Sequence, residues 1–325
     1  PILANIYLDK FDKYVSEYIK NFNRGERRKR TTEYRKNEVS LRNARSALKN
    51  AADDTDKQKA IALIRQLEKE RVNIPHSDPM DKDYARLFYV RYADDWLCGV
   101  IGSKDDCKRI KEDFKNFLFE KLQLELSEEK TLITNAQKSA KFLSFEIKVR
   151  QSNLSKRDKI GRLVRNYTGR VVLEVSSDVI KKRLIEAGAM KFIYQNGKEI
   201  WKPQAIYRLK DCDDLEILDW YNSKIRGFYN YYCIANNSSL INSYKYILEY
   251  SMYKTYGTKY RTSIHKIINK FRYGKDFAVK FTNSKGVECV RVFYNQGFKR
   301  QEKAFYPNED EIQCDIKCFS STSLI

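Results

Sequence analysis

The sequence predicts an α+β fold, in which helices and short antiparallel strands share one polypeptide. Apolar residues recur at helical spacing over residues 2–22 and again over residues 215–256. Residues 86–101 are rich in β-branched and aromatic residues, and residues 140–147 alternate with a period of two, as strands do. Helices interspersed with short strands favour an antiparallel sheet that carries its helices on one face.

The first part of the chain is expected to be helical. Residues 2–22 form the first predicted helix, and a basic run at residues 24–30 follows it. This run fits a solvated loop and a phosphate contact equally well. Residues 37–72 predict a helical hairpin, and its polar composition indicates an insertion, at about residues 24–80, laid on the surface of a core domain.

Residues 86–101 predict two strands that meet at the tetrad Tyr92-Ala93-Asp94-Asp95. Two adjacent carboxylates between apolar strands are costly to bury unless a cation pairs with them. Arg91 is the nearest cation in sequence. Mg²⁺ prefers carboxylate and phosphate oxygens as ligands. The tetrad therefore predicts a divalent-metal site that serves phosphoryl chemistry.

The remaining elements follow the same two periodicities. Ser103 and Asp106 predict a capping box at the start of a helix. The chain to about residue 272 is otherwise mostly helical, and the last fifty residues suggest one or two hairpins. Short strands are predicted over residues 122–126, 140–147 and 171–175.

The composition limits the kinds of partner that the protein is expected to bind. The 325 residues allow two or three domains. The 63 Lys and Arg residues exceed the 43 Asp and Glu residues, and the net charge of +20 favours a polyanion such as nucleic acid over other partners. A membrane surface is the rival, but no run approaches the roughly 18 apolar residues of a spanning helix, so no membrane partner is expected. The chain opens without Met or a signal peptide, which suggests a piece of a longer polypeptide.

The cysteines are expected to be reduced intracellular thiols. Cys314 and Cys318 have the spacing of half a zinc site. The two histidines, His76 and His265, both lie far from them in sequence, so a closed zinc site is the less favoured alternative.

The tetrad between two β-prone runs resembles the catalytic hairpin of reverse-transcriptase palm domains. Other segments resemble that family in the same order. They are residues 1–12, similar to the helix after the family's Gly-x-Ser/Pro loop; EEKT at residues 128–131, similar to the segment whose lysine lies near the incoming nucleotide; and KFLSF at residues 141–145, similar to the primer-grip hairpin. The family usually has Gly where Ser144 stands.

A more specific resemblance, to domain X of group II intron maturases, lies in WYNSKIRGFYNYY at residues 220–232. The helical insert resembles the organellar, mitochondrial-like lineage of these intron-encoded proteins. The resemblance implies the C-terminal part of a palm over residues 1–150, an α-helical thumb and maturase X domain over residues 151–275, and a short β-rich extension over residues 276–325. It also implies that the protein is located in the mitochondrial matrix, with the bacterial cytoplasm as the alternative location.

By this resemblance, the chain belongs to an RNA-directed DNA polymerase that is also a splicing maturase. Asp94 would be the principal Mg²⁺ ligand and Asp95 a supporting one, and Lys130 would neutralise or protonate the leaving pyrophosphate. Lys141, Phe142 and Leu143 would form the primer grip. The implied partners are group II intron RNA, an RNA template with its DNA primer, and dNTP. The oligomeric state stays open.

The aromatic, basic stretch at residues 220–232 suits RNA, which offers phosphates and splayed bases. Lys224, Arg226, Tyr229 and Asn230 are the candidate contacts. The alternative is that the aromatic residues at helical spacing face a core. Both readings stay open at the level of sequence.

The family's third carboxylate and its fingers would lie before Pro1, so this chain is not expected to polymerise alone. The principal alternative is a catalytically inactive splicing factor that keeps the polymerase scaffold to bind RNA. A retron-like enzyme without maturase function fits residues 220–232 less well. Since the tail after residue 275 contains no His and no Cys-x-x-Cys, no endonuclease is expected within it.

Overall fold

The structure, a computed structural model, describes residues 2–150, 154–161, 163–165, 169–283 and 285–302. The chain divides into two compact units, a first unit of Pro1–Leu143 with Ile147–Val171 and a second unit of Ser144–Glu146 with Val172–Ile325. Helices and small antiparallel sheets occur together, which confirms the α+β class. The predicted domain boundaries at 150 and 275 stay predictions. Cys314 and Cys318 lie outside the described residues.

The helices of the first unit follow the sequence closely. They are α1 (Ile2–Phe22), α2 (Thr32–Asn50), α3 (Asp54–Asn73) and α4 (Lys104–Leu122). The predicted helix over residues 2–22 and the predicted helical hairpin are confirmed. The hairpin begins earlier than predicted because the Thr31 side chain accepts a hydrogen bond from the Tyr34 amide and caps α2. Ser103 and Asp106 form the predicted capping box of α4.

The core of the first unit lies between α1, α4 and the strand that leads to the tetrad. Phe11 and Val15 of α1 pack in one buried cluster with Phe114 of α4 and Leu87. The Phe11 and Phe114 rings meet edge to face with their centroids 5.3 Å apart. Each of these four side chains is at most 1% exposed. Burial on this scale fixes the position of the strands that carry the tetrad.

Those strands are β1 (Arg86–Tyr92) and β2 (Asp95–Ile101), an antiparallel pair in which Tyr92 faces Asp95. The prediction of a strand over residues 122–126 is wrong. Leu122 ends α4 and is 1% exposed, and Gln123 then takes a left-handed φ of 51° as the helix cap. Leu122 is the last of the buried residues on one side of α4. The burial of Leu122 as part of the helix therefore stabilises this conformation more than the alternating pattern of residues 122–126 favours a strand.

Several shorter strands follow α4 along the chain. They are β3 (Ala140–Phe142), β4 (Phe145–Arg150), β5 (Ser155–Arg157), β6 (Leu163–Arg165) and β7 (Arg170–Glu174). One sheet has the order β3-β4-β7, while β5 pairs with β6. The strands predicted over residues 140–147 and 171–175 are thereby confirmed.

The second unit is mostly helical. Its elements are α5 (Ser177–Glu186), β8 (Met190–Gln195), β9 (Lys198–Pro203), a 3-10 helix (Tyr207–Leu209), α6 (Asp214–Tyr232), α7 (Ile241–Lys259), α8 (Ile264–Lys270), β10 (Arg272–Tyr273), β11 (Asp276–Thr282) and β12 (Glu288–Val292). The hairpin of β8 and β9 was not predicted. Its turn, Asn196-Gly197, has φ values of 52° and 71°, and Asn-Gly between two strands is a strong hairpin signal.

Tyr221 of α6 and Tyr256 of α7 are fully buried at the centre of the second unit. The Tyr221 hydroxyl lies 3.0 Å from Ser251 Oγ and 2.9 Å from Thr255 Oγ1, both on α7. Burial raises the pKa of Tyr221 to about 12, against the opposite effect of these two hydroxyls. The Tyr221 hydroxyl therefore joins α6 to α7 as a neutral group.

Tyr221→Phe is expected to lower the free energy of unfolding by about 1 kcal/mol, the usual net worth of a buried hydrogen bond. The loss stays small because Ser251 Oγ still donates to the Gln204 carbonyl at 2.7 Å and Thr255 Oγ1 to the Ser251 carbonyl at 2.9 Å. Urea unfolding measures the change. Tyr207→Phe, at a side chain 70% exposed, is the control. Equal midpoints for the two variants would contradict this role of the hydroxyl.

Candidate functional site

The tetrad forms the tip of the β1–β2 hairpin. Ala93 and Asp94 make a two-residue turn, and Asp95 is the first residue of β2. Ala93 has a φ of 53°, a left-handed value that is uncommon for a residue with a side chain. Asp94 and Asp95 are both exposed. The hairpin therefore presents two adjacent carboxylates to solvent on a base that is fixed in the core.

Arg91 of β1 holds this turn in place through hydrogen bonds. Its guanidinium donates to the Ala93 carbonyl at 2.6 Å and, through Nε, to Asp12 Oδ1 at 2.9 Å. Tyr89 Oη also donates to Asp12 Oδ1, at 2.9 Å. The Arg91 guanidinium holds the pKa of Asp12 below its usual range, against the effect of burial. Arg91, the cation nearest to the tetrad in sequence, is thus engaged by Asp12 of α1.

Asp94 and Asp95 have no salt bridge among the described residues. Mg²⁺ binds to proteins through one or two carboxylates and takes its other ligands from water and substrate phosphates. Two exposed carboxylates at a rigid tip fit that donor set. Within the described part of the chain, no group of three or more His, Cys, Asp or Glu side chains stands ready to hold a metal. The hairpin can therefore supply two protein ligands to a metal ion.

Lys130 is exposed and lies in the turn of residues 128–130. Its neighbour Glu128 is paired with Lys115 Nζ at 2.7 Å and lies 3.7 Å from Lys111 Nζ, both on α4. These pairs hold the turn against α4. The side chain of Lys130 forms no salt bridge in the described region and is accessible to an anionic ligand.

The residues that resemble a primer grip form a second hairpin turn. Lys141 and Phe142 end β3, and β4 begins at Phe145. Leu143 and Ser144 between them have φ values of 49° and 63°. Glycine adopts such φ values without steric cost. This is the physical reason why Gly is usual at the position of Ser144 in the reverse transcriptases that this segment resembles. Ser144 keeps the turn at some cost in strain.

Helix α6 carries the candidate RNA contacts and buries its aromatic side. Tyr221, Phe228 and Tyr232 lie in the core. This agrees with the alternative that the aromatic residues at helical spacing face a core. Tyr229 is also buried, its ring packs on Phe298, and its hydroxyl donates to the Lys299 carbonyl at 2.7 Å. A side chain so engaged is not accessible to RNA, and we leave Tyr229 out of the proposed contact surface.

Lys224, Arg226 and Asn230 are exposed, but they do not form one surface. Lys224 and Arg226 are two residues apart, which places them about 160° apart around a helix of 3.6 residues per turn. Arg226 and Asn230 share one flank of α6, as residues four apart do. The same flank holds Asp219, whose carboxylate lies 3.1 Å from Arg291.

Lys224 lies on the other flank, beside Trp220. The Lys224 ammonium is 5.4 Å from the centre of the Trp220 ring, and the Arg208 guanidinium is also 5.4 Å from that centre. Two cations on one indole form favourable cation–π contacts. We call Arg208, Trp220 and Lys224 the Trp220 surface. Arg208 was not among the predicted contacts, because it lies in the 3-10 helix before α6 and no local pattern joins it to Trp220.

A cleft of about 670 Å³ in the second unit was also missed. Lys191 of β8, Lys202 of β9, Lys254 of α7 and Arg261 after α7 all line it. These cations come from separate elements, so no local pattern joins them. The Asn-Gly signal at residues 196–197 could have revealed the hairpin and, with it, the pairing of Lys191 with Lys202.

None of the described helices is long and apolar enough to cross a bilayer. The five described cysteines, Cys98, Cys107, Cys212, Cys233 and Cys289, are free thiols. Burial raises the pKa of Cys98 to about 12, and the Cys107 thiol nearby adds to the effect. Burial also raises the pKa of Cys107, so both thiols of the first unit stay protonated near neutral pH.

Comparison with known proteins agrees with the resemblance seen in sequence. Residues 168–306 match the type II intron maturase family. The group II intron-encoded protein LtrA of Lactococcus lactis subsp. cremoris is 36% identical over 275 residues, which are 84% of this chain and 45% of LtrA. The putative COX1/OXI3 intron 1 protein of Saccharomyces cerevisiae is 34% identical over 282 residues, 84% of this chain and 32% of that protein.

A more distant relative is the nuclear intron maturase 2, mitochondrial, of Arabidopsis thaliana, which is 22% identical over 277 residues, 83% of this chain and 34% of that protein. The chain spans less than half the length of each of these relatives. Intron proteins from a bacterium, a yeast and a plant thus each match more than four fifths of this chain. Residues 168–306 therefore form a domain of the type II intron maturase family.

Proposed function

We propose that this protein is the splicing maturase of a group II intron and that its second unit binds the intron RNA. Most of the segment that matches the maturase family, residues 168–306, lies in this unit. The net charge of +20 supports a polyanionic partner. The related plant protein is named as mitochondrial and LtrA is bacterial, so we propose the mitochondrial matrix as the location, with the bacterial cytoplasm as the alternative.

The observation that carries this proposal is the Trp220 surface. Arg208 and Lys224 supply positive charge for phosphates, and Trp220 supplies a flat ring for a base, the combination that single-stranded RNA regions favour. Arg226 and Asn230, on the opposite flank, form a second candidate contact. Their neighbour Asp219 carries a negative charge, which disfavours phosphate on that flank.

Lys224→Glu is expected to weaken binding of the intron RNA by about tenfold at moderate salt and to lower the slope of log Kd against log salt, since one phosphate contact is lost. Arg226→Glu changes the same charge on the same helix, two residues away, and is expected to have the smaller effect. Fluorescence anisotropy with labelled intron RNA over a range of KCl concentrations measures both. Equal losses would place RNA on both flanks, and no loss in either would remove α6 from the contact surface.

We also propose that the protein is an RNA-directed DNA polymerase that uses an RNA template, a DNA primer and dNTP. In this proposal Asp94 and Asp95 hold Mg²⁺, which when bound supplies charge stabilisation for phosphoryl transfer. Lys130 neutralises the leaving pyrophosphate, and Lys141, Phe142 and Leu143 position the primer end. The exposed, unpaired carboxylates on a hairpin fixed by Arg91 support this role.

A catalytically inactive splicing factor is the second candidate. The observation that favours it is that the Trp220 surface lies wholly within the second unit and needs no residue of the β1–β2 hairpin. On this alternative the hairpin is a retained scaffold. Primer extension by the unchanged protein separates the two candidates, because an inactive splicing factor promotes splicing and extends no primer.

A further inference from the structure

We propose that the cleft bounded by Lys191, Lys202, Lys254 and Arg261 binds the sugar-phosphate backbone of single-stranded RNA. This inference rests on the proposed function in that it assigns a second RNA contact to the same unit. The cleft lies between the β8–β9 hairpin, the end of α7 and the start of α8. We call it the lysine cleft.

The charge in the lysine cleft is unbalanced. Its lining includes four cations and no Asp or Glu. Lys191 and Lys202 stand directly opposite each other in the register of β8 and β9. Like charges in directly opposite positions destabilise a strand pair. A bound anion between them would remove this repulsion.

Lys254 of α7 adds a third ammonium group to the cleft. Its Nζ donates to the Pro203 carbonyl at 2.7 Å, which holds it at the cleft. Burial lowers the pKa of Lys254, and repulsion from Lys202 and Lys191 lowers it further. The three ammonium groups therefore interact with one another, and an anion that contacts all three is favoured electrostatically.

Two partly buried lysines elsewhere in the second unit have carboxylate partners. Lys181 Nζ lies 2.7 Å from Glu199, and Lys259 Nζ lies 2.6 Å from Asp214. Across the described ranges, none of the four cations of the lysine cleft has a carboxylate within salt-bridge distance. Lys191, Lys202 and Arg261 are exposed, so these cations are accessible to an anionic ligand from outside the chain.

The surroundings of the cleft favour RNA over a free anion. Tyr207, 70% exposed, lies at the cleft and offers its ring for stacking on a base. Thr258 and Ser263 add hydroxyl donors to the lining. Arg208 of the Trp220 surface directly follows Tyr207 in the same 3-10 helix, so one short element contributes to both surfaces.

The test measures binding of fluorescein-labelled oligouridine to the whole chain by anisotropy over a range of KCl concentrations. The double variant Lys191→Glu with Lys202→Glu is expected to weaken binding at least about tenfold and to reduce the slope of log Kd against log salt by about 1.4, or about 0.7 per lost phosphate contact on a single strand. Lys182→Glu with Lys198→Glu makes the same change in charge at exposed lysines outside the cleft and is the matched control. Equal losses in the two double variants would overturn the proposal.

Two further arms complete the test. Lys191→Gln with Lys202→Gln, checked for an unchanged thermal midpoint, shows the same direction of effect if the loss comes from missing phosphate contacts and not from misfolding. Inorganic phosphate at constant ionic strength is expected to leave the RNA bound, and displacement by millimolar phosphate would show a free-anion site and overturn the assignment to RNA. Ultraviolet cross-linking is expected to label the peptide that contains Tyr207.

Oligouridine carries no intron sequence, so its binding is independent of splicing. If the maturase proposal fails, intron RNA is bound no better than unrelated RNA, while the lysine-cleft variants still lose oligouridine. If the cleft proposal fails, these variants bind oligouridine as the control does, while preference for intron RNA persists. The two failures are therefore distinguishable.

Discussion

Asp94→Asn is expected to abolish primer extension on an RNA template while the binding of intron RNA is unchanged. The substitution keeps the size of the side chain and removes its negative charge. Asp94 is exposed in the turn and has no salt bridge in the region described, so folding is not expected to suffer. Loss of a group that stabilises developing charge commonly costs at least about 100-fold in rate, and a metal ligand belongs to that class.

The assay uses the full-length protein that the intron encodes, with a labelled primer annealed to RNA. Asp105→Asn is the control, since Asp105 is an exposed carboxylate in the first turn of α4, paired with Lys108 at 3.1 Å. Full activity in Asp94→Asn would exclude the hairpin as the metal site. If the unchanged protein extends no primer while it still promotes splicing, the inactive splicing-factor alternative stands.

Asp12→Ala is expected to lower the free energy of unfolding by about 3 kcal/mol, at the lower end for a broken buried ion pair. The Arg91 side chain is 10% exposed and would lose its only carboxylate partner among the described residues, which lies at 2.5 Å. Tyr89 would lose its hydrogen-bond acceptor as well. The Asp12 side chain is 34% exposed, and solvent screening keeps the cost from being larger.

Urea unfolding at neutral pH measures this loss. Asp9→Ala is the matched control, because Asp9 lies on the same helix and pairs with Lys13 at 2.7 Å on the exposed side. A surface pair of this kind contributes little, so the midpoint of this variant is expected to be unchanged. A midpoint of Asp12→Ala equal to that of Asp9→Ala would show that Arg91 is satisfied without Asp12.

The pH dependence of the difference follows from the lowered pKa of Asp12. A carboxyl whose pKa is lower in the folded state stabilises the fold fully above its unfolded pKa, which is about 3.9 for Asp. That contribution is lost as the pH falls through the folded-state pKa. The stability gap between the unchanged protein and Asp12→Ala is therefore expected to be constant near neutral pH and to shrink below about pH 4. A gap that persists in acid would mean that charge is not its source.

Local sequence signals were enough where a single segment carries its own burial pattern. The helix over residues 2–22, the α2–α3 hairpin and the capping box at Ser103 were all predicted because caps and periodicity are properties of neighbouring residues. The β1–β2 hairpin and its tip were predicted for the same reason. The prediction of a strand over residues 122–126 was wrong because Leu122 is the last residue of α4 and packs in the core. The sequence of residues 122–126 alone does not reveal this packing.

The sequence by itself determined the α+β class, the acidic tetrad at a hairpin tip and, through residues 220–232, the resemblance to group II intron maturases. The tertiary structure decided which charges meet: Asp12 reaches Arg91 from 79 residues away, and α6 separates Lys224 from Arg226. It also brought Lys191, Lys202 and Lys254 together in one cleft. The physical reason is that periodicity and capping act over a few residues, whereas charge pairing depends on distances in space that only the packing of separate elements sets.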